Sequence, residues 1–431
     1  MKSFKVLIPL AFLALFLGGC LLGYRDIIYN SQNFSTEQVV KKVINQAVDT
    51  TLEVAKSNAE PTLDTAINAL LEEVLDSEQL ESLIKNLQAN FKKIVAQLTQ
   101  KVIQNWGKDD AQTASQEVYV KYTDSYLSRA EVDFAKGVIL VSTLDTKNPK
   151  EALHKAIVTT LLTPDDPEKV DLYSDKEVVY SGTPYLANLV KDNEGKVILY
   201  PWRANRYATY LIDNSLKTRE IKEEGQKKVV YYVQFDMVAD REIQSEHKYG
   251  EYVALYAKEY GIEQALIFAI IKTESSFNPY AVSHIPAYGL MQVVPASAGR
   301  DVYRALNNKD GIPTKEMLFT PKINIQYGST YLDILFSRYL TGIKNSLSHE
   351  YCVIAAYNTG SGNVLSVFHK DRKKAVEVIN SMTSAEVYRK LRTSLKYEEA
   401  RNYLLKVTNA KKEFQATAKN VNDSSILLSV R

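Results

Sequence analysis

Hydrophobic positions along this chain follow three rhythms, and each rhythm predicts a different kind of element. Between Tyr24 and Trp106 there is no glycine and one proline, Pro61. Leu80, Leu83, Ile84, Leu87, Phe91, Ile94, Val95, Leu98 and Val102 recur there at three–four spacing, the signature of one helical stripe. The stretch reads as two or more helices broken near Ala59-Glu60-Pro61, with the stripes serving as core or helix–helix seams. Acidic residues are as common as lysines on its polar faces, which gives no attraction to anionic lipid.

Past Gly107 the rhythm changes to alternation. Val118, Val120 and Tyr122, then Val132 and Phe134, then Val138 and Leu140 predict strands over 117–126 and 130–144, with a hairpin turn at Lys136-Gly137. A helix is expected over 149–162, a loop over 163–167, and further strands at 178–180, 196–203 and 228–238. This is a small α+β unit.

After Asp240 the pattern turns helical again. Gly261 predicts a stop between a helix over 249–260 and a second one that runs to Glu274. That second helix contains Ala265-Leu266-Ile267-Phe268-Ala269-Ile270-Ile271, seven apolar side chains in a row, so it is expected to be buried all round. Asn278-Pro279 then biases the chain out of helix. Glu274 is therefore placed in the last helical turn, beside a core and at the negative pole of the helix dipole. Both effects disfavour its charged form and raise its pKa. A carboxyl held protonated near neutral pH is what a general acid requires.

The first twenty residues predict where the chain resides. Lys2 and Lys5 precede twelve residues, 6–17, that form an apolar core too short to span a bilayer and of the length of a signal peptide. The core ends in Leu17-Gly18-Gly19-Cys20, which resembles a bacterial lipobox and implies cleavage before Cys20 and lipidation of its thiol. Leu21 follows, not the aspartate associated with inner-membrane retention, so the expected location is the outer membrane, facing the periplasm. Cys352 is then the one cysteine left for the folded body, and is expected as a packed core thiol with no disulfide partner. Removing the two signal lysines leaves 51 basic against 51 acidic residues, a balance that argues against nucleic acid as a partner.

Glu274 does not stand alone. It opens Glu274-Ser275-Ser276-Phe277-Asn278-Pro279, and it is followed by Gly289-Leu290-Met291-Gln292 and by Ala356-Tyr357-Asn358-Thr359-Gly360-Ser361-Gly362. Three such motifs in this order resemble the catalytic signature of the soluble-lytic-transglycosylase family. The segments 119–124 and 170–175 resemble the amino-terminal domain of one membrane-bound branch of that family.

The resemblance implies a fold and a division of the chain. The fold class is α+β: a helical amino-terminal segment and a small α+β domain, then a mainly α-helical catalytic domain of goose-lysozyme-like type. The expected divisions are a signal at 1–19, a lipidated linker at 20–34, helices at 35–106, the α+β domain at 107–240, the catalytic domain at 246–419 and a tail at 420–431 with turn-like Asn422-Asp423-Ser424. Because the residues given chemical roles lie between Glu274 and Tyr403, the unit from about Glu246 is expected to cleave its substrate alone.

The resemblance also implies chemistry. The substrate is the peptidoglycan glycan strand, cut between N-acetylmuramic acid and N-acetylglucosamine. Glycosidases ordinarily use two carboxylates, and Asp301, Asp310 and Glu316 are candidates for a second but lie in polar, loop-like sequence. One carboxyl suffices if the sugar's own 2-acetamido group and 6-hydroxyl take the other roles. Glu274 then acts as acid and afterwards as base, leaving a 1,6-anhydro end without consuming water. Ser283 would hold the acetamido group, Gln292 would hydrogen-bond the sugar and Met291 would shape an apolar wall. Tyr357 would reach Glu274 and the leaving oxygen, Asn358 would support that loop, Ser275 would bond back to the helix end, and Tyr403 would match a late-motif tyrosine.

Two other readings stay open: a hydrolase on the same fold, and a non-catalytic peptidoglycan-binding lipoprotein. Product mass separates the first from a transglycosylase, and an intact Glu274, Ser283, Gln292 and Tyr357 set has no purpose in the second. One departure from the family pattern is Pro286, where many relatives have glycine. No cofactor is expected: Gly360-Ser361-Gly362 lacks the strand and third glycine of a dinucleotide loop. No metal is expected either, since the five histidines, including His284, lack ligand spacing.

Overall fold

The structure is a computed structural model, and it describes residues 93–223, 226–283 and 287–429. Cys20, the signal sequence, most of the early helical stripe, His284 and Pro286 lie outside the described residues. Among the described residues, 93–308 and 312–429 belong to one compact unit.

A helix reaching residue 106 leads into a five-stranded antiparallel sheet. Its strands are β1 (Val118–Thr123), β2 (Ser128–Asp133), β3 (Val138–Thr143), β4 (Lys217–Glu223) and β5 (Gln226–Asp236), in the order β1-β2-β3-β5-β4. Two helices, α1 (Pro149–Leu162) and α2 (Pro201–Ser215), lie between β3 and β4 in sequence. The pleat sends alternate side chains to opposite faces. Tyr119, Val132, Ile139, Val141, Val233 and Phe235 join α1 and α2 in one core, while Val120, Tyr122, Ile221 and Val230 meet Leu98, Val102 and Trp106 in another.

The predicted helix over 149–162 and the hairpin at Gly137, with φ +71°, are present. Two predicted strands are not. Residues 178–180 have no partner in the sheet and Val179 is 73% exposed, so their β-favouring side chains have no strand to lie against. The segment 196–203 gives way at Pro201, which opens α2 at the one helical position where its missing N–H costs nothing. The periodicity also missed β4, whose Lys-, Arg- and Glu-rich sequence carries one buried apolar residue, Ile221.

The named elements after β5 are all helices. The helices are α3 (Arg241–Tyr260), α4 (Gln264–Ser275), α5 (Arg300–Asn307), α6 (Lys315–Phe319), α7 (Pro321–Ile334), α8 (Ser346–Thr359), α9 (Ser361–Ser366), α10 (Arg372–Ser381), α11 (Ser384–Ser394) and α12 (Glu398–Ser429). The fold class is thus α+β, with a mainly helical second half. Gly261 ends α3 in the left-handed region at φ +65° and donates its N–H to Ala257 O. All of Ala265 to Ile271 is buried, so α4 is the central rod of the largest core, against α3, α12 and the helices between them. Helix α3 begins earlier than expected and contains Glu246. Helix α12 continues through Asn422-Asp423-Ser424, where a turn was expected, because no glycine or proline interrupts 398–429. Cys352 is buried and unpaired in the same core, and burial pushes its thiol up to about 12. Among the described residues no helix is long and apolar enough to cross a membrane.

Candidate active site

Glu274 is 8% exposed in the last turn of α4, next to the buried run that precedes it. Burial pushes its carboxyl up to about 8. The hydroxyl of Tyr403, on α12, donates to Glu274 Oε1 at 2.7 Å and acts in the opposite direction by favouring the carboxylate. The Glu399 carboxylate raises it again by like-charge repulsion. A buried acid with one hydroxyl donor and, among the described residues, no cationic partner is poised to give up a proton and to take one back.

The chain leaves α4 by an unusual route. Ser276 and Phe277 take φ of +49° and +65°, left-handed positions that cost non-glycine residues on the order of 1 kcal/mol each. Ser275, fully buried, keeps its Oγ 3.0 Å from Ile271 O and 2.8 Å from Leu290 O, so it joins the helix end to the Gly289–Gln292 segment. That segment is held from the other side by Asn324 on α7. The fully buried Asn324 accepts from Met291 N at 2.7 Å and donates to Tyr288 O at 2.7 Å and Leu318 O at 2.6 Å. Gly289, at φ +73°, passes so close that a Cβ would stand 2.5 Å from Leu318 O. Only glycine fits there.

Gln292 is 7% exposed, with φ +49°. Its Nε2 donates to Ala281 O at 3.1 Å and Gly289 O at 3.0 Å, which fixes the amide orientation. Its Oε1 is then buried without a hydrogen-bond partner among the described residues. A buried acceptor left open in this way is costly unless a ligand supplies the donor. Met291 is fully buried, and a Cβ on Gly328 would stand 2.3 Å from its sulfur, so it packs against α7 as a core side chain.

Ser283 is partly exposed, and its Oγ accepts from Ala287 N at 3.2 Å. Tyr357, expected to reach Glu274, donates to Met291 O at 2.9 Å, with its ring edge-on to Tyr331, and lies close enough to Glu274 for that carboxylate to push its hydroxyl up further. Tyr403 makes the bond to Glu274, because α12 packs along α4 and presents its hydroxyl to the helix end. Asn358 Nδ2 lies 3.4 Å from Glu399 Oε1. Two functional candidates were missed. Asn324 offered only a lone amide between Ile323 and Ile325 as a signal. Glu399 stands four residues before Tyr403, one turn away on the same helical face, and that spacing was readable. Asp301 accepts from Tyr339, and Glu316 sits in the first turn of α6. Among the described residues no cluster of His, Cys, Asp or Glu could hold a metal ion.

Comparison with known proteins gives two family matches that together cover both halves. Residues 76–248 match the "Membrane-bound lytic murein transglycosylase C, N-terminal domain", and residues 251–380 match the "Transglycosylase SLT domain". Proteins named membrane-bound lytic murein transglycosylase C from Yersinia pestis (strain Pestoides F) and Yersinia pseudotuberculosis serotype O:1b (strain IP 31758) are each 43% identical over 326 residues, covering 75% of this chain and 90% of theirs. Among solved structures, an inactive mutant of the lytic transglycosylase Slt from Pseudomonas aeruginosa aligns at 25% identity and TM-score 0.31, over 39% of this chain and 24% of that one. The 70 kDa soluble lytic transglycosylase of Escherichia coli aligns at 23% identity and the same TM-score, again over 39% of this chain and 24% of that protein.

Proposed function

The chain belongs to the membrane-bound lytic murein transglycosylase C family, a group of peptidoglycan-cleaving lyases, and on that premise we propose that Glu274 is its single acid–base catalyst. The carboxyl starts protonated and gives its proton to the oxygen that bridges N-acetylmuramic acid and N-acetylglucosamine. The bond from C1 to that oxygen breaks while the 2-acetamido oxygen stabilises the positive charge left at C1. The glutamate, now ionised, takes the proton of the 6-hydroxyl as O6 closes on C1. The products are a 1,6-anhydro-N-acetylmuramic acid end and a free N-acetylglucosamine 4-hydroxyl, with no water consumed and the glutamate returned to its acid form.

The observation that carries this reading is the isolation of Glu274: buried, raised to about 8 and donated to by Tyr403 alone among the described residues. Tyr403 steadies the ionised intermediate state of Glu274. The open Oε1 of Gln292 takes a donor from the sugar, and Ser283 and Asn358 line its approach. Tyr357 holds the Gly289–Gln292 turn through its bond to Met291 O, and the Met291 side chain packs that turn against α7. Cys20, within its Leu-Gly-Gly-Cys sequence, carries the lipid that keeps the enzyme on the periplasmic face of the outer membrane.

Mass spectrometry of purified sacculi digested by the protein tests the reaction. Muropeptides ending in anhydro sugars are expected, and products one water heavier would assign a hydrolase. Cys20→Ser should abolish membrane partition and leave digestion intact; a variant still held in the outer-membrane fraction would remove the lipid anchor.

A further inference from the structure

The seven residues after the Glu274 helix do not stay within their own half of the molecule. Asn278 is fully buried, and both ends of its amide are used: Nδ2 donates to Gln116 O at 3.1 Å, and Oδ1 accepts from Tyr280 N at 3.0 Å. Gln116 precedes β1, so this bond joins the loop to the sheet domain. Tyr280, also fully buried, is, among the described residues, the one from beyond Asp240 in the core shared by the sheet, α1 and α2. Its ring stands edge-on to Tyr119 of β1 at 5.1 Å and to Tyr185 at 5.4 Å, and its hydroxyl donates to Pro164 O. Val282 N reaches Ser115 O at 3.5 Å, and Lys248 of α3 donates to Asp165 Oδ1 at 2.6 Å nearby. The chain then returns to Ser283, and Tyr288 pairs with Val282 just ahead of Gly289–Gln292.

We propose that the α+β domain is a working part of the active site, in which Asn278 and Tyr280 are positioning residues that anchor the Glu274 loop in that domain's core. This rests on Glu274 being the proton donor. The left-handed pair Ser276-Phe277 supplies the physical reason. Two strained residues directly after the catalytic turn persist only where something beyond them holds the chain. Here that hold is the aromatic cluster Tyr119–Tyr185–Tyr280 and the Asn278 amide. Without it, residues 276–282 relax, Ser275 loses its register with Leu290, and water reaches the Glu274 carboxyl. The sheet domain therefore fixes both the position of the acid and the dryness that keeps it protonated.

The decisive variant is Tyr119→Leu in the full chain, because it alters the sheet side of the cluster and leaves Glu274 and the residues assigned to the sugar unchanged. Tyr280→Phe and Asn278→Ala act on the loop side, and Glu274→Gln is assayed beside them. Turnover of sacculi, measured as anhydromuropeptide release, should fall about 10–100-fold in kcat for Tyr119→Leu and Asn278→Ala, with KM nearly unchanged. Tyr280→Phe keeps the ring, loses only the bond to Pro164 O, and should fall less. The alkaline limb of the kcat–pH profile should move to lower pH in the first two variants as Glu274 becomes hydrated. Among the described residues the groups acting on that carboxyl are Tyr403 and Glu399 of α12, Tyr357 of α8 stands beside it, and all three are retained.

A merely stabilising contact would lower Tm while leaving kcat and the pH limb unchanged in the folded protein, and that result overturns the proposal. If Tyr119→Leu does not fold, Asn278→Ala, which removes no apolar volume from the cluster, decides by the same two measurements. Full activity of Glu274→Gln would instead overturn the catalytic reading on which the proposal stands.

Discussion

At the scale of single residues, the site is governed by what surrounds one carboxyl. Glu274→Gln keeps the shape of the side chain but has no proton to transfer, so cleavage should fall about 10²–10⁴-fold with the fold intact; near-native release of muropeptides from sacculi would refute the role. The general acid must be protonated, so wild-type rate should hold through neutral pH and fall as pH rises through about 8. Two neighbours move that limb in opposite directions. Glu399→Gln removes a like charge and should shift it to lower pH, whereas Tyr403→Phe removes the donor that favours the carboxylate and should shift it higher. Stability carries the same signature. The folded pKa of Glu274 lies above its ordinary 4.5, so its protonated form contributes stability that is full below pH 4.5 and is lost as pH rises through about 8. Glu274→Gln cannot titrate, so denaturant titrations at pH 5 and pH 8 should show the wild type losing more stability than the variant, at up to about 1.4 kcal/mol per pH unit.

At the scale of elements, the short Gly289–Gln292 segment depends on one amide reaching across from α7. Asn324→Leu preserves volume but leaves Met291 N–H and Leu318 O without their buried partner, while Tyr288 O keeps only its bond from Val293 N. Each orphaned group costs about 1–3 kcal/mol, so a loss of several kcal/mol in denaturant unfolding is expected. Gly289→Ala should also destabilise, through a positive φ and a methyl 2.5 Å from Leu318 O. Activity should fall in both, because Gln292 and Ser275 are hung from this segment. The segment is legible in the sequence by its motif. What holds it is not, because a supporting amide on a distant helix has no local pattern of its own.

At the scale of the whole molecule, the helical half does not close on itself. A unit beginning at Glu246 starts inside α3 and leaves Tyr280 and Asn278 without the core and carbonyl that cover them. The expected outcome for the fragment 246–431 is therefore loss of most sacculus cleavage, read as anhydromuropeptide release against the full chain. This replaces the expectation, drawn from the placement of the motif residues alone, that the fragment suffices. Local rules were enough for much else. Seven consecutive apolar residues required a buried α4, Gly261 marked its start, Asn278-Pro279 marked its end, and these together placed Glu274 at the edge of a core. The hairpin at Gly137 and the helix from Pro149 were equally local, since turn chemistry and periodicity act over a few residues. Partners brought together across long stretches of chain were not. That Tyr403 and not Tyr357 bonds Glu274, that Glu399 stands near it, and that Tyr280 leaves its own domain's core for another depend on how helices and sheet pack. A hydrogen bond joining residues 274 and 403 is fixed by the docking of α12 on α4, and no pattern confined to either segment encodes it.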